Sequence, residues 1–439
     1  MTLEKKVLLT TAYVDKLYDY WEANNKSRIF RLTWIRRCSF GLRFIKKNLP
    51  DIEILEYPKW DEYVKKIKQG NYDIVGFSFY THEIPEVLRM IEFAKKNGVK
   101  EIWGGNYGIL NEDIKKYFDK TFIGYAEHDI AKALGTEINV IKHPIMIVQS
   151  GLPIGLNFIN LGTIFTTRGC SIGCKFCQTP SFCPNVSKVP IESIEEALKE
   201  YRKMGVKELL ILDENFGLLK DHAEEVISLL NKYGFYWLPM TRADILNQNL
   251  KEWSRKGLFG AFIGIEGLSQ GTLDYIGKKE KIVDIIELIK NMNKKNLFIV
   301  GYYVIGFDNE TVESIKADMK KLKSMNLDLY QVCILTPLPN TALWREIETK
   351  YGIFDFDYNH YNTKYLVWNH PNIKPEEMKK LLDWCFQNVY PNASLFRTLF
   401  KLEKKYTFFN GFFGGIWYII KSIFQSNISY YIRKSYKKI

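Results

Sequence analysis

Twice along this chain of 439 residues, short β-branched or aromatic runs alternate with amphipathic stretches of helical spacing. That alternation restricts the fold more than any other feature, because strands separated by helices pair in parallel and bury both faces of their sheet. The first series has strand candidates at 6–10, 52–57, 73–79, 101–104 and 121–124, with helical stretches at 32–47, 60–69, 84–96 and 111–118. An α/β fold with a doubly wound, Rossmann-like parallel sheet is expected over residues 1–135, with any ligand at the C-terminal strand ends. Gly104, Gly105 and Gly124 follow strands there. A glycine either lets backbone approach a ligand or simply turns the chain, and the sequence leaves both readings open.

Residues 136–160, with His143-Pro144, Gly151 and Pro153, have weak periodicity and read as a connector. The second series has strand candidates at 163–167, 208–213, 236–241, 260–266, 297–305 and 329–335, with helices at 194–204, 222–232, 282–293 and 312–325. Six β/α units over 161–345 predict a partial (β/α)6 TIM-like barrel, followed by a mainly helical region at 346–439. In such barrels chemistry collects at the C-terminal strand ends, where Cys170, Asp213, Arg242, Glu266 and Thr336 fall.

Seven cysteines are too few for a disulfide scaffold in a chain this long, and Met1-Thr2-Leu3-Glu4-Lys5-Lys6 does not read as a signal peptide. A reducing, cytoplasmic setting is expected. Cys38, Cys333 and Cys385 are isolated, whereas Cys170, Cys174, Cys177 and Cys183 lie together. A structural zinc site wants four protein ligands, commonly in paired knuckles, and no histidine is near. An iron–sulfur cubane on Cys170, Cys174 and Cys177 fits better and leaves one iron open to a substrate or cofactor. Two other readings stand beside it: buried structural thiols, and a closed site with Cys183 as fourth ligand, which would make this a non-enzymatic protein with a structural metal cluster.

The Cys170-x3-Cys174-x2-Cys177 spacing, with Phe176 before the last cysteine and a β/α series beginning just upstream, resembles the radical S-adenosylmethionine (SAM) superfamily. The order of elements resembles its subgroup with an N-terminal cobalamin-binding-like domain. Gly104-Gly105-Asn106-Tyr107 is similar to that subgroup's Gly-Gly-x-His stretch, and Gly124-Tyr125-Ala126-Glu127 to its Gly-x-x-Glu stretch. Asp213-Glu214-Asn215, Arg242, Gly264-Ile265-Glu266-Gly267, Lys278, Gly306 with Glu310, and Thr336-Pro337 resemble further landmarks in the same order.

The resemblance implies a [4Fe-4S] cluster on the three cysteines. SAM would bind the open iron through its amine and carboxylate and be split reductively to a 5′-deoxyadenosyl radical. It also implies that Phe176 lies against the adenine, that Arg242 contacts a carboxylate or ribose, and that Asp213, Glu214 and Asn215 accept from the amine. Glu266 joins the cofactor side, and no residue is assigned as catalytic. A flavodoxin or ferredoxin is the implied electron donor. The Asp-x-His-x-x-Gly motif that ligates cobalamin from below is absent. Either cobalamin binds without such a ligand, or the domain has kept its shape without the cofactor. Methylthiotransferases of the superfamily carry three further cysteines in this region, where the chain has only Cys38, so one cluster is expected.

The formal charge of +12 is unevenly spread. From Arg397 onward nine basic residues face one acid, Glu403, leaving +8 in this tail and +4 in the 396 residues before it. Within the tail, 408–420 is thirteen uncharged, aromatic-rich residues, short of the about 20 that span a bilayer. It reads either as a segment in the headgroup region or as a helix packed on the barrel with a solvated basic end. No RNA-binding module accompanies the basic residues, so nucleic acid is disfavoured. The expected activity is radical SAM chemistry on an unactivated carbon of a small-molecule or lipid substrate: methylation, carbon–carbon bond formation or rearrangement. A cobalamin-independent radical SAM enzyme acting on a small molecule or peptide is the alternative.

Overall fold

The computed structural model describes residues 5–13, 34–36, 38–151 and 157–389. In chain order the first strands are β1 (Val7–Thr11), β2 (Trp34–Arg36), β3 (Glu53–Leu55), β4 (Ile74–Ser78), β5 (Glu101–Gly105) and β6 (Lys120–Phe122). All but β2 form one parallel sheet of order β3-β1-β4-β5-β6. Every residue of β1 is buried, because helices cover both faces. On one face Leu8, Val75 and Ile102 pack with Tyr63, Ile67, Val87 and Ile91 of helices Trp60–Gly70 and Ile84–Lys96. On the other, Val7, Leu9, Ile74 and Trp103 pack with Leu42, Ile45 and Ile130 of helices Phe40–Asn48 and Glu127–Ala133. The strand order reverses between β1 and β4, the kind of switch point where doubly wound sheets bind ligands.

Two helical expectations in this unit differ. Among the described residues of 32–47, the helix runs from Phe40, and residues 34–36 are drawn into a sheet ladder. Residues 112–117 wind as a 3-10 helix, opened by Asn111, whose side chain accepts from the Asp113 amide.

The remaining strands are β7 (Ile147–Gly151), β8 (Asn157–Ile164), β9 (Thr167–Arg168), β10 (Ser187–Lys188), β11 (Glu208–Ile211), β12 (Tyr236–Thr241), β13 (Gly260–Glu266), β14 (Phe298–Ile305) and β15 (Leu329–Ile334). The second sheet has the order β15-β14-β13-β12-β11-β8-β7-β2. From β8 to β15 its six strands are all parallel, the expected partial barrel. The segment read as a connector carries more structure than its periodicity suggests. β7 and the first half of β8 lie in it, and β7 pairs antiparallel with both β8 and β2. The polar Gln149-Ser150-Gly151 masks the strand alternation there.

Burial alternates along β13, β14 and β15, separating a fully buried outer face under the helices from a more open inner face. Beyond the barrel, the described C-terminal region holds helices Ala342–Lys350 and Pro375–Val389 with a loop and one 3-10 turn between them. The basic aromatic tail from Arg397 lies outside the described residues.

Candidate active site

The site is built on the β8–β9 connection. Asp213, wholly buried just past β11, accepts from Thr166 N (2.6 Å), Thr166 Oγ1 (2.5 Å), Thr167 N (3.0 Å) and Thr167 Oγ1 (2.7 Å). Burial raises its carboxyl to about 6, against the lowering effect of these donors. The sequence suggested that Asp213 would accept from a ligand amine. Its lone pairs are instead spent on the chain that leads into the cysteine loop.

That loop starts at Gly169, whose φ of +85° and neighbours exclude a side chain: a Cβ would sit 2.4 Å from the Asn185 carbonyl oxygen. The Cys170 amide donates to the Cys183 carbonyl (3.3 Å), the Cys177 amide to the Cys174 carbonyl (3.1 Å) and the Lys175 amide to the Ile276 carbonyl (2.9 Å). The Thr179 amide donates to the Cys177 sulfur (3.4 Å). Burial raises all three loop thiols, Cys174 to about 12 with Cys177 adding to the shift. Among the described residues, no three His, Cys, Asp or Glu side chains are already gathered as a metal site. The fit to a cluster therefore rests on donor chemistry, three soft thiols on one short loop whose deprotonation metal binding would drive. Cys183 lies against the first residue of the loop, its sulfur 2.9 Å from where a Cβ at Gly169 would sit. Its thiol donates to the Asn185 carbonyl (3.4 Å), and the charged neighbours that act on it are Glu214 and Arg168.

Around the loop, the predicted residues divide. Glu214 meets it directly, accepting from the Gly169 amide (3.1 Å) and from the Tyr125 hydroxyl. Phe176 is half-buried against the main barrel core. Asn215 accepts from the Arg242 amide (3.3 Å). The Arg242 guanidinium, predicted to contact a carboxylate or ribose, is committed within the protein. It forks onto Asp244 (3.0 and 2.8 Å) and donates to the carbonyls of Lys278 (2.6 Å) and Lys279 (2.7 Å). Glu266, at φ +61°, pairs with Lys278 (3.3 Å), which also pairs with buried Glu280 (3.2 Å).

The glycines of the first unit have different uses. At Gly104 a Cβ would lie 2.7 Å from Phe118 and 2.9 Å from Ile109, so its small size serves packing. Gly105 meets nothing nearer than 3.6 Å. Gly124, at φ +88°, sits under the Phe182 carbonyl. Its neighbours do what the sequence reading missed: Tyr107 stacks on Phe182 (4.4 Å) and bonds Thr179 (3.2 Å), while Glu127 holds Arg168. The visible signal was their position, since Tyr107, Tyr125 and Glu127 all lie in the glycine-marked stretches.

Residues 164–322 match the sequence profile of the Radical SAM superfamily. The chain carries a radical SAM domain. A [4Fe-4S] cluster and SAM are the cofactors such a domain implies, and Cys170, Cys174 and Cys177 are the thiols the superfamily spacing marks for the cluster. The radical SAM chain is 28% identical over 237 residues to an uncharacterized methyltransferase of Pyrococcus horikoshii, 53% of this chain and 52% of that protein, so the match spans about half of each. It is 21% identical over 355 residues to the bacteriochlorophyllide d C-12(1)-methyltransferase of Chlorobaculum tepidum, 75% of this chain and 77% of that one. Its fold is similar to TsrM of Kitasatospora setae, a radical SAM methyltransferase solved with cobalamin and a [4Fe-4S] cluster, at TM-score 0.64 and 14% identity over 96% of this chain and 99% of that one.

Proposed function

We propose that this radical SAM enzyme is a cobalamin-dependent methyltransferase acting on an unactivated carbon of an apolar substrate. The observation that carries the reading is the meeting of the two units. The C-terminal edge of the first sheet faces the cysteine loop through Tyr107 on Phe182 and Thr179, and through Tyr125 on Glu214. A corrinoid at that edge would lie beside the cluster, and it would supply the methyl group. Gly105 and the left-handed Asn106, at φ +72°, keep the crest of β5 low, which suits a large flat ligand. His82 stacks on Tyr80 at the next strand end (6.2 Å) outside any Asp-x-His-x-x-Gly pattern, so cobalamin would bind without a histidine below cobalt. The methyltransferase names and the cobalamin-containing relative of the same fold support the same reading.

Substrate class is read from the inner face of the barrel. Leu210, Leu238 and Phe259 form an apolar floor with Leu161, Leu212, Phe262 and Phe298 against them, and Tyr302 stacks on Phe262 (6.2 Å). Tyr303 and Tyr330, on β14 and β15, belong to the buried core. No described helix is long and apolar enough to cross a membrane. The basic aromatic tail supports a peripheral lipid contact, consistent with an apolar substrate, and a flavodoxin or ferredoxin would supply electrons.

Anaerobic reconstitution with iron, sulfide and hydroxocobalamin, followed by dithionite and SAM, tests the proposal. The expected result is a corrinoid visible spectrum that survives gel filtration, with SAM converted to S-adenosylhomocysteine and 5′-deoxyadenosine. SAM turnover without retained corrinoid would move the reading to the cobalamin-independent enzyme.

A further inference from the structure

The cysteine loop is not held by the barrel alone. Arg168, two residues before Cys170, turns into the first unit, where its guanidinium forks onto Glu127 (Nη1 to Oε2 3.0 Å, Nη2 to Oε1 2.7 Å). Both side chains are nearly sealed, at 7% and 3% exposure, which decides that the pair is a desolvated one. Its plane lies between two aromatic rings of the first unit, 4.5 Å from Phe44 and 4.5 Å from Tyr125. Tyr125 also donates to Glu214, whose other oxygen takes the Gly169 amide. Residues 168 and 169 are thus gripped from both units at once, immediately ahead of the first cysteine.

A buried ion pair adds little net stability compared with apolar packing, yet its fork geometry fixes orientation. We propose that Arg168 is a positioning residue: through Glu127, Phe44 and Tyr125, the first unit sets the path of the cysteine loop and so the seat of SAM. The inference rests on the loop being the cluster site, but not on cobalamin. It gives the first unit a part in the cluster site whether or not it holds a corrinoid.

The test uses the full chain with Glu127→Gln, which keeps shape but breaks the charged fork, and Tyr125→Phe, which keeps the ring over Arg168 but drops the bond to Glu214. In the metal-free protein, amide hydrogen exchange across 169–178 should rise tenfold or more in Glu127→Gln and severalfold in Tyr125→Phe, with β1 and β4 within twofold of the parent. After reconstitution, the electron paramagnetic resonance signal of the reduced cluster should match the parent without SAM and differ with it, and the KM for SAM should rise severalfold at nearly constant kcat. Unchanged exchange in the loop, or an equal rise through β1 and β4, would overturn the proposal. If Glu127→Gln does not fold, Tyr125→Phe decides by the same readings. Failure of the parent itself to take up iron would instead remove the cluster assignment beneath the inference.

Discussion

Replacing any one of Cys170, Cys174 or Cys177 with Ala should abolish iron and sulfide uptake on reconstitution, whereas Cys183→Ala should keep the parent's content. The second expectation follows from the Cys183 thiol's bond to the Asn185 carbonyl; loss of the cluster in that variant would mean a closed, four-cysteine site. Asp213→Ala should leave four donors of Thr166 and Thr167 without an acceptor in the interior, a loss of about 3 kcal/mol or more, read as a lowered urea midpoint. At this scale the sequence is informative where chemistry is local. The three cysteines sit within eight residues, so spacing alone names them. Asp213 was given to a ligand because its donors, Thr166 and Thr167, are distant in sequence; Arg242 has Asp244 two residues on, but the carbonyls of 278 and 279 that complete its bonding are distant, and nothing in a strand-end position says which partners folding will bring. Arg168 escaped notice for the same reason, its acid lying 41 positions upstream.

Among elements, the parallel strands of both β/α series were readable, even the three-residue β3 and β6, and the antiparallel ladder at the rim of the second sheet was not. β1, β4, β12 and β14 lie within two residues of their expected bounds, while β2 and β7 are set by pairing with each other. The turn after β14 shows how an element end depends on one side chain. Glu310 accepts from the amides of Gly306 (2.6 Å) and Phe307 (2.9 Å), and burial raises its carboxyl from 4.5 to about 7. A raised carboxyl means that the folded chain holds the proton more tightly than the unfolded one. The associated stability is therefore full below about pH 4.5 and lost as pH rises through about 7. The difference in unfolding free energy between the parent and Glu310→Gln should shift by about 3 kcal/mol against the parent between pH 4.5 and 8. Urea unfolding at the two pH values checks it, and a constant difference would refute it.

At the scale of the whole molecule, a nearly neutral body and a basic tail are expected to separate in function. Removal of residues 397–439 should leave SAM cleavage by the reconstituted enzyme within about twofold and abolish sedimentation with anionic lipid vesicles. Binding of the full chain should weaken as salt rises from 0.05 to 0.5 M, roughly following the screening length. Equal sedimentation of both chains would assign the tail to packing on the barrel. The two α/β units were legible as such because hydrophobic periodicity marks elements, whereas their docking depends on aromatic and charged contacts that periodicity does not encode. One strand bears on how the molecule is made. β2 comes from between β1 and β3 of the first sheet, yet it pairs with β7 at the rim of the second. During synthesis the first unit emerges whole while this strand still lacks its neighbour. The pairing closes only after the ribosome has delivered residues 147–151, so assembly runs backward across the boundary. Chimeras between relatives that exchange one unit at a single crossover would part β2 from its mate, and working exchanges should carry residues 34–36 and 147–151 from the same parent.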